Sequence, residues 1–222
     1  MWYRCNLFDF LRYSNVLIFK IITMTKSLLK STLLAITVFI LLSFDLPTDW
    51  FKAGSDPKSY DMGIDKGAGP DGKNAATIKS IDKKIEGFGT LMQTCLPDKY
   101  LGKRVRMSAM VKSSDIGDWA GLWFRVDQEN SNKPLAFDNM HDRAIKGTKD
   151  WKKYEIVLDV PEKASGLAYG ALVRGTGQIW FTNIQFEVVD DSVKTTSEDM
   201  NETKKKTMKE SLGEPSNLNF DK

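Results

Sequence analysis

Between residues 50 and 189 apolar and polar residues alternate with period two, run after run, with Gly, Asp, Asn and Pro clusters between the runs. Successive side chains of an extended chain point to opposite faces, so this pattern gathers its apolar residues on one side only as a strand. In KRVRMSAMVKS, Val105, Met107, Ala109 and Val111 share one face, and Arg104, Arg106, Ser108 and Lys112 the other. In AGLWFRVD, Leu122, Phe124 and Val126 oppose Trp123, Arg125 and Asp127. Tyr154, Ile156, Leu158 and Val160 form a third set, and Leu167, Tyr169, Ala171 and Val173 a fourth. QIWFTNIQFEVV places Trp180, Thr182, Ile184, Phe186 and Val188 together; shorter candidates lie at 59–65, 75–80 and 87–94. About eight or nine strands follow, with no long amphipathic helix. Their physical solution is two antiparallel sheets packed face to face.

Composition removes most chemistries. The chain carries 32 basic and 29 acidic residues, a net +3, without the basic stripe of a phosphate-backbone binder, so no nucleic-acid partner is expected. Cys5 and Cys95 are the only cysteines and His141 the only histidine, which excludes a disulfide scaffold and multi-histidine or multi-cysteine metal sites. G-x-S-x-G, H-E-x-x-H, the P-loop and a G-x-G-x-x-G opening a helix are all absent. No enzyme activity, metal or cofactor is expected.

The first 45 residues are different material. LLAITVFILLSF, 33–44, sits in an uncharged stretch of 14 residues between Lys30 and Asp45. That is short for a membrane span, which needs about 20 residues, and suits the apolar region of a secretory signal, with Lys26 and Lys30 as its positive flank. Met24 is an alternative start to Met1. Cleavage near Ser43 and retention as an N-terminal anchor both fit, so the sequence predicts an exported domain that touches a membrane through this segment alone. At the other end, 190–222 holds eight acidic and six basic residues and few large apolar ones, the composition of a flexible charged tail. Within it, SNLNFD at 216–221 either returns to the sandwich through Leu218 and Phe220 or frays as a terminus.

The stretch 150–189, with its Trp–x–x–Tyr strand, Val-Pro turn, apolar strand and Gly–x–x–Trp–Phe lead into the last strand, resembles the closing half of galactose-binding-like jelly rolls, the fold of many carbohydrate-binding modules. WFKAGSDPKSYDMGID, LGKRVRMSAMVKSSDIGDWAGLWFRVD and LAFDNMHDRAIKGTKDW resemble, more narrowly, a bacterial domain found downstream of the helix-turn-helix in some AraC-type transcriptional regulators and in other bacterial proteins. EPSNLNFD is similar to that family's P-x-NLDFE element. The resemblance implies an all-β jelly-roll sandwich over 46–189, after a 1–45 leader with a hydrophobic helix and before the disordered tail. Two departures limit it. A leader stands where the regulators have DNA-binding helices, and Thr182–Asn183 stand where wider relatives often carry paired aspartates, so a calcium site of that kind is not expected.

Trp123, Arg125 and Asp127 are the best surface constellation, alternate residues about 7 Å apart along a strand. An aromatic plate beside a forked donor and a carboxylate suits a sugar, whose apolar face stacks while its hydroxyls are hydrogen-bonded. The same residues also fit a second buried face with a structural Arg125–Asp127 ion pair. FDNMHDRAIKG adds Asp138, Asn139, His141, Asp142 and Arg143, which either complete that pocket or form a turn held by Asx bonds to its own backbone. The predicted ligand-binding set is Trp123, Arg125, Asp127, Asp138, Asn139 and Arg143; Trp119, Trp151 and Trp180 are an alternative platform, of which Trp151 and Trp180 are assigned to packing because the jelly-roll pattern uses aromatics there as core. A non-catalytic exported module for a carbohydrate or similar small polar ligand is the first expectation. A structural module docking an envelope protein is the second, and a sensory domain related to regulators but lacking their DNA-binding part is the third.

Overall fold

The computed structural model describes residues 44–197 and 213–221. Residues 1–43 of the predicted leader, with its helix, and residues 198–212 of the predicted flexible tail lie outside the described residues. Within them the chain is all-β, with helix only as 3₁₀ turns of three residues. The strands are β1 Phe51–Gly54, β2 Tyr60–Asp65, β3 Ala75–Ser80, β4 Phe88–Cys95, β5 Lys103–Asp127, β6 Ala136–Asp138, β7 Ile145–Val160, β8 Gly166–Arg174 and β9 Gln178–Val189. All pairings between them are antiparallel, in the order β1-β4-β8-β5-β9-β3-β2, with β6 and β7 also paired to β5.

The two layers share one strand. The 25-residue β5 pairs its first half with β7 and β9 and its second half with β8 and β6. The sequence reads as two strands here because its alternation breaks: Val111 is buried on the odd parity, Ile116, Ala120 and Leu122 on the even. Asp115 adopts a left-handed backbone (φ 54°) and the β7 register shifts on both sides of it, the signature of bulges that bend a strand around a corner.

A second bulge corrects the reading of β9. Asn183 has φ 55°, and the pairing with β5 slips between Ser108–Gln185 and Met110–Thr182. The slip exchanges faces, so Ile179 and Phe181 point into the core before it and Ile184 after it. Trp180 and Thr182 therefore do not share a face with Ile184. Trp180 is half-buried outside the core, with its indole N–H given to Asp65 Oδ2 at 2.7 Å and the Lys112 ammonium 5.6 Å from the ring centre. Trp151 is also half-buried and belongs to neither apolar cluster.

Trp50 holds one end of the core, with Tyr169, Phe181 and Phe220 rings at 5.7, 6.0 and 5.1 Å. Phe220 belongs to the C-terminal segment and is fully buried. Around it the segment is bonded to the sandwich: Ser216 N–H donates to Gln93 Oε1 (2.8 Å), Ile184 N–H to the Leu218 carbonyl (3.3 Å) and Asn74 Nδ2 to the Phe220 carbonyl (3.3 Å). The chain just past β9 also stays on the sandwich. Thr196 N–H donates to the Val157 carbonyl (2.8 Å) and Val157 N–H to Thr196 Oγ1 (2.9 Å), which covers part of the outer edge of β7. Cys95 is a buried thiol, and burial, with the nearby Glu214 carboxylate, pushes it up to about 12, so it stays protonated and unreactive in the folded chain.

Candidate ligand-binding groove

The sheet β1-β4-β8-β5-β6 buries one face in the core and turns the other outward. On the core face stand Leu91, Tyr169, Ala171, Leu122 and Phe124. Alternation then sends their neighbours outward in register. One cross-strand row is Trp123–Gly170–Met92, the next Gly121–Leu172–Thr90, the next Trp119–Arg174–Phe88, with Arg125 opposite Phe137 beyond them. These side chains make a second apolar cluster of Trp123, Ala168 and Leu172, with half-buried Phe88, Met92, Trp119 and Phe137 against it. An outward sheet face ordinarily carries polar residues, so its aromatic content is the feature to explain.

Those residues except Ala168 line a groove of about 480 Å³, which also takes in Ala53, Arg125, Asn139 and Arg174. The size is within the range of small-ligand sites. Gly170 is a packing requirement there: a Cβ would lie 2.3 Å from the Leu91 carbonyl oxygen, so β8 approaches β4 this closely only as glycine. Trp123 keeps just 6% of its surface exposed and reaches across β8 to give its indole N–H to Thr90 Oγ1 at 2.8 Å. It is the floor of the groove. The partly exposed rings are Trp119, Phe88 and Phe137, with Trp119 edge-on to His141 at 5.2 Å.

Of the predicted set, Trp123, Arg125 and Asn139 line the groove, while Asp127, Asp138 and Arg143 do not. Asp127 accepts from Arg125 Nε and Nη2 at 3.1 and 2.9 Å and so orients that guanidinium. Asp138 faces the core side beside Phe124, by the pairing of β6 with β5. It is fully buried, ion-paired with Arg143, and accepts from the Met140 N–H at 2.7 Å. Asn139 Oδ1 likewise accepts from the His141 N–H at 2.9 Å. The loop is thus the self-bonded Asx turn, and it covers the groove end near Gly121, where a Cβ would meet the Asn139 carbonyl at 3.0 Å.

Sequence reasoning missed Phe88, Met92, Phe137 and Arg174, and gave the stacking role to Trp123 rather than Trp119. A signal was present: Trp119, Gly121, Trp123 and Arg125 share one parity, as do Phe88, Thr90 and Met92. Among the described residues no three His, Cys, Asp or Glu side chains converge as a metal would require.

No family model matches the chain. It is 40% identical over 173 residues, 78% of its length, to the uncharacterized HTH-type transcriptional regulator YbfP of Bacillus subtilis (strain 168). The chain spans 56% of that relative's length. Among solved structures it is similar to the enzymatically active domain of bacteriophage CBA120 tailspike protein 4, at TM-score 0.48 and 12% identity over 64% of this chain and 20% of that one. It is also similar to the CBM22-1 xylan-binding domain of Paenibacillus barcinonensis Xyn10C, at TM-score 0.46 and 14% identity over 65% of this chain and 89% of that one.

Proposed function

We propose that the groove is a non-catalytic saccharide-binding site. The observation that carries this reading is the outward sheet face itself: Trp119, Phe88 and Phe137 stand partly exposed around a Trp123 floor, with guanidinium groups at its margins. Flat rings take the apolar faces of a sugar and the guanidiniums take its oxygens. Among the described residues the lining contains no carboxylate, histidine or cysteine to move a proton or attack a bond, and Thr90 is committed to the Ala171 carbonyl and the Trp123 indole. Trp119→Ala is expected to weaken the best ligand found on a glycan array at least tenfold, read by tryptophan fluorescence titration, while the chain stays folded with a modestly lowered melting temperature, because this ring is half-buried against the Trp123 cluster. Absence of any saccharide binding at millimolar concentration, with specific capture of a partner chain abolished by the same substitution, overturns it in favour of a protein-docking face.

The 40% identity to the Bacillus regulator favours a second reading, in which the same groove senses an effector. We also propose export, supported by the 14 uncharged residues behind Lys26 and Lys30. A reporter active only outside the cytoplasm, fused after residue 222, is expected to be active and to fall silent on Leu34→Arg; silence without the substitution overturns export.

A further inference from the structure

The hydrogen-bonding groups of the groove are unbalanced. Arg125 and Arg174 each carry several N–H donors. Arg125 gives Nε and Nη2 to Asp127, and Arg174 gives Nε to Asp118 at 3.0 Å, which leaves further N–H groups on both. Side-chain acceptors are the opposite case. Thr90 Oγ1 is occupied by the Trp123 indole, Asn139 Oδ1 by the His141 N–H, and among the described residues the lining holds no carboxylate. A neutral sugar hydroxyl presents a hydrogen as well as lone pairs, and this wall has little to receive the hydrogen. A carboxylate presents acceptors alone and matches the planar guanidinium fork.

We propose that the ligand is an acidic saccharide, a chain of uronic acid units whose carboxylates engage Arg125 and Arg174 while the sugar faces lie on Trp119 and its neighbours. This deepens the saccharide reading and rests on it. Arg174 lies opposite Trp119 and Arg125 six residues further along β5, so the guanidinium rows stand roughly 20 Å apart along the strands. That separation suits an extended chain carrying repeated carboxylates rather than a single sugar acid. Asp118 and Arg174 are both about half exposed, so their pairing is weak and yields readily to a ligand, whereas Asp127, 13% exposed, holds Arg125 in place.

The test titrates the full chain with oligogalacturonate, its methyl ester and inorganic polyphosphate. The acid is expected to bind about tenfold tighter than the ester, with Arg174→Gln removing most of that difference and raised salt reducing it. Arg174 is exposed, so this variant is expected to keep the wild-type melting temperature. Equal affinity for acid and ester, both weakened by Trp119→Ala, overturns the acidic preference and leaves the saccharide site standing. Polyphosphate binding as tightly as the uronate overturns the saccharide class in favour of a general anion site. If none of the three binds and no neutral glycan does, the saccharide reading falls and this proposal with it.

Discussion

Phe220→Ala is expected to destabilise the protein by about 3–5 kcal/mol, the range for deleting a buried aromatic ring from a packed core. The ring is fully buried between Trp50 and Phe181, with centroids 5.1 and 5.2 Å away, although only two residues follow it. Phe220 also has φ 58°, a left-handed conformation that a bulky residue adopts only when its surroundings hold it. For a chain of this size the loss corresponds to a fall in melting temperature of roughly 6–20 °C. Deleting 214–222 is expected to do more, because it also removes the partners of Gln93, Asn74 and the Ile184 N–H. Gln93 is buried and accepts the Tyr169 hydroxyl as well, so its amide is left in a core with one partner fewer. Thermal melts of the full chain and the two variants check this. A melting temperature unchanged within a degree means that the segment does not close the sandwich in solution.

Asp138→Ala is expected to cost about 3 kcal/mol, the low end for breaking a buried ion pair, because Arg143 keeps 33% of its side chain in water. Burial opposes the Arg143 charge, and the Asp138 carboxylate, with help from Asp142, more than offsets it, so the guanidinium is held above its ordinary value. The substitution leaves that cation without its buried partner. It also removes the acceptor of the Met140 N–H, where the backbone is left-handed at φ 63°. Asp138→Asn keeps an acceptor for Met140 and loses the charge, so it is expected to fall between wild type and alanine. Since this loop covers the groove beside Gly121, ligand affinity is expected to drop with stability, in contrast to Trp119→Ala, whose main effect is on affinity. Urea denaturation of the three chains measures the order. Wild-type stability in Asp138→Ala would show that the pair contributes nothing.

The two classes of residue in these predictions differ in how far they could be read from the chain alone. Period-two alternation is local, set by the pleat, so Val105, Met107, Leu122, Phe124, Ile156 and Tyr169 were assignable to a core face before any strand was paired. The same parity placed Trp123 and Arg125 together on the opposite face. Leu218 and Phe220, apolar in a polar tail, left return and fraying both open from the chain alone, and the contacts with Trp50 and Phe181 show where the ring goes.

What alternation cannot supply is which strand lies beside which, since that depends on pairings far apart in sequence. The bulges at Asp115 and Asn183 exchange faces within β5 and β9, and they moved Trp180 outside the core because a one-residue slip inverts every side chain after it. Trp123 looked like an exposed plate from its own strand. Its burial comes from β4 and β8, where Gly170 permits the close approach and Thr90 takes the indole proton. Asp138 and Asp127 read as ligand carboxylates from their composition, and tertiary structure made them partners of Arg143 and Arg125. The sequence by itself determined the sandwich and its faces through a local geometric period. Tertiary structure alone decided which outward residues meet as a groove, because register between distant strands is set by the whole core.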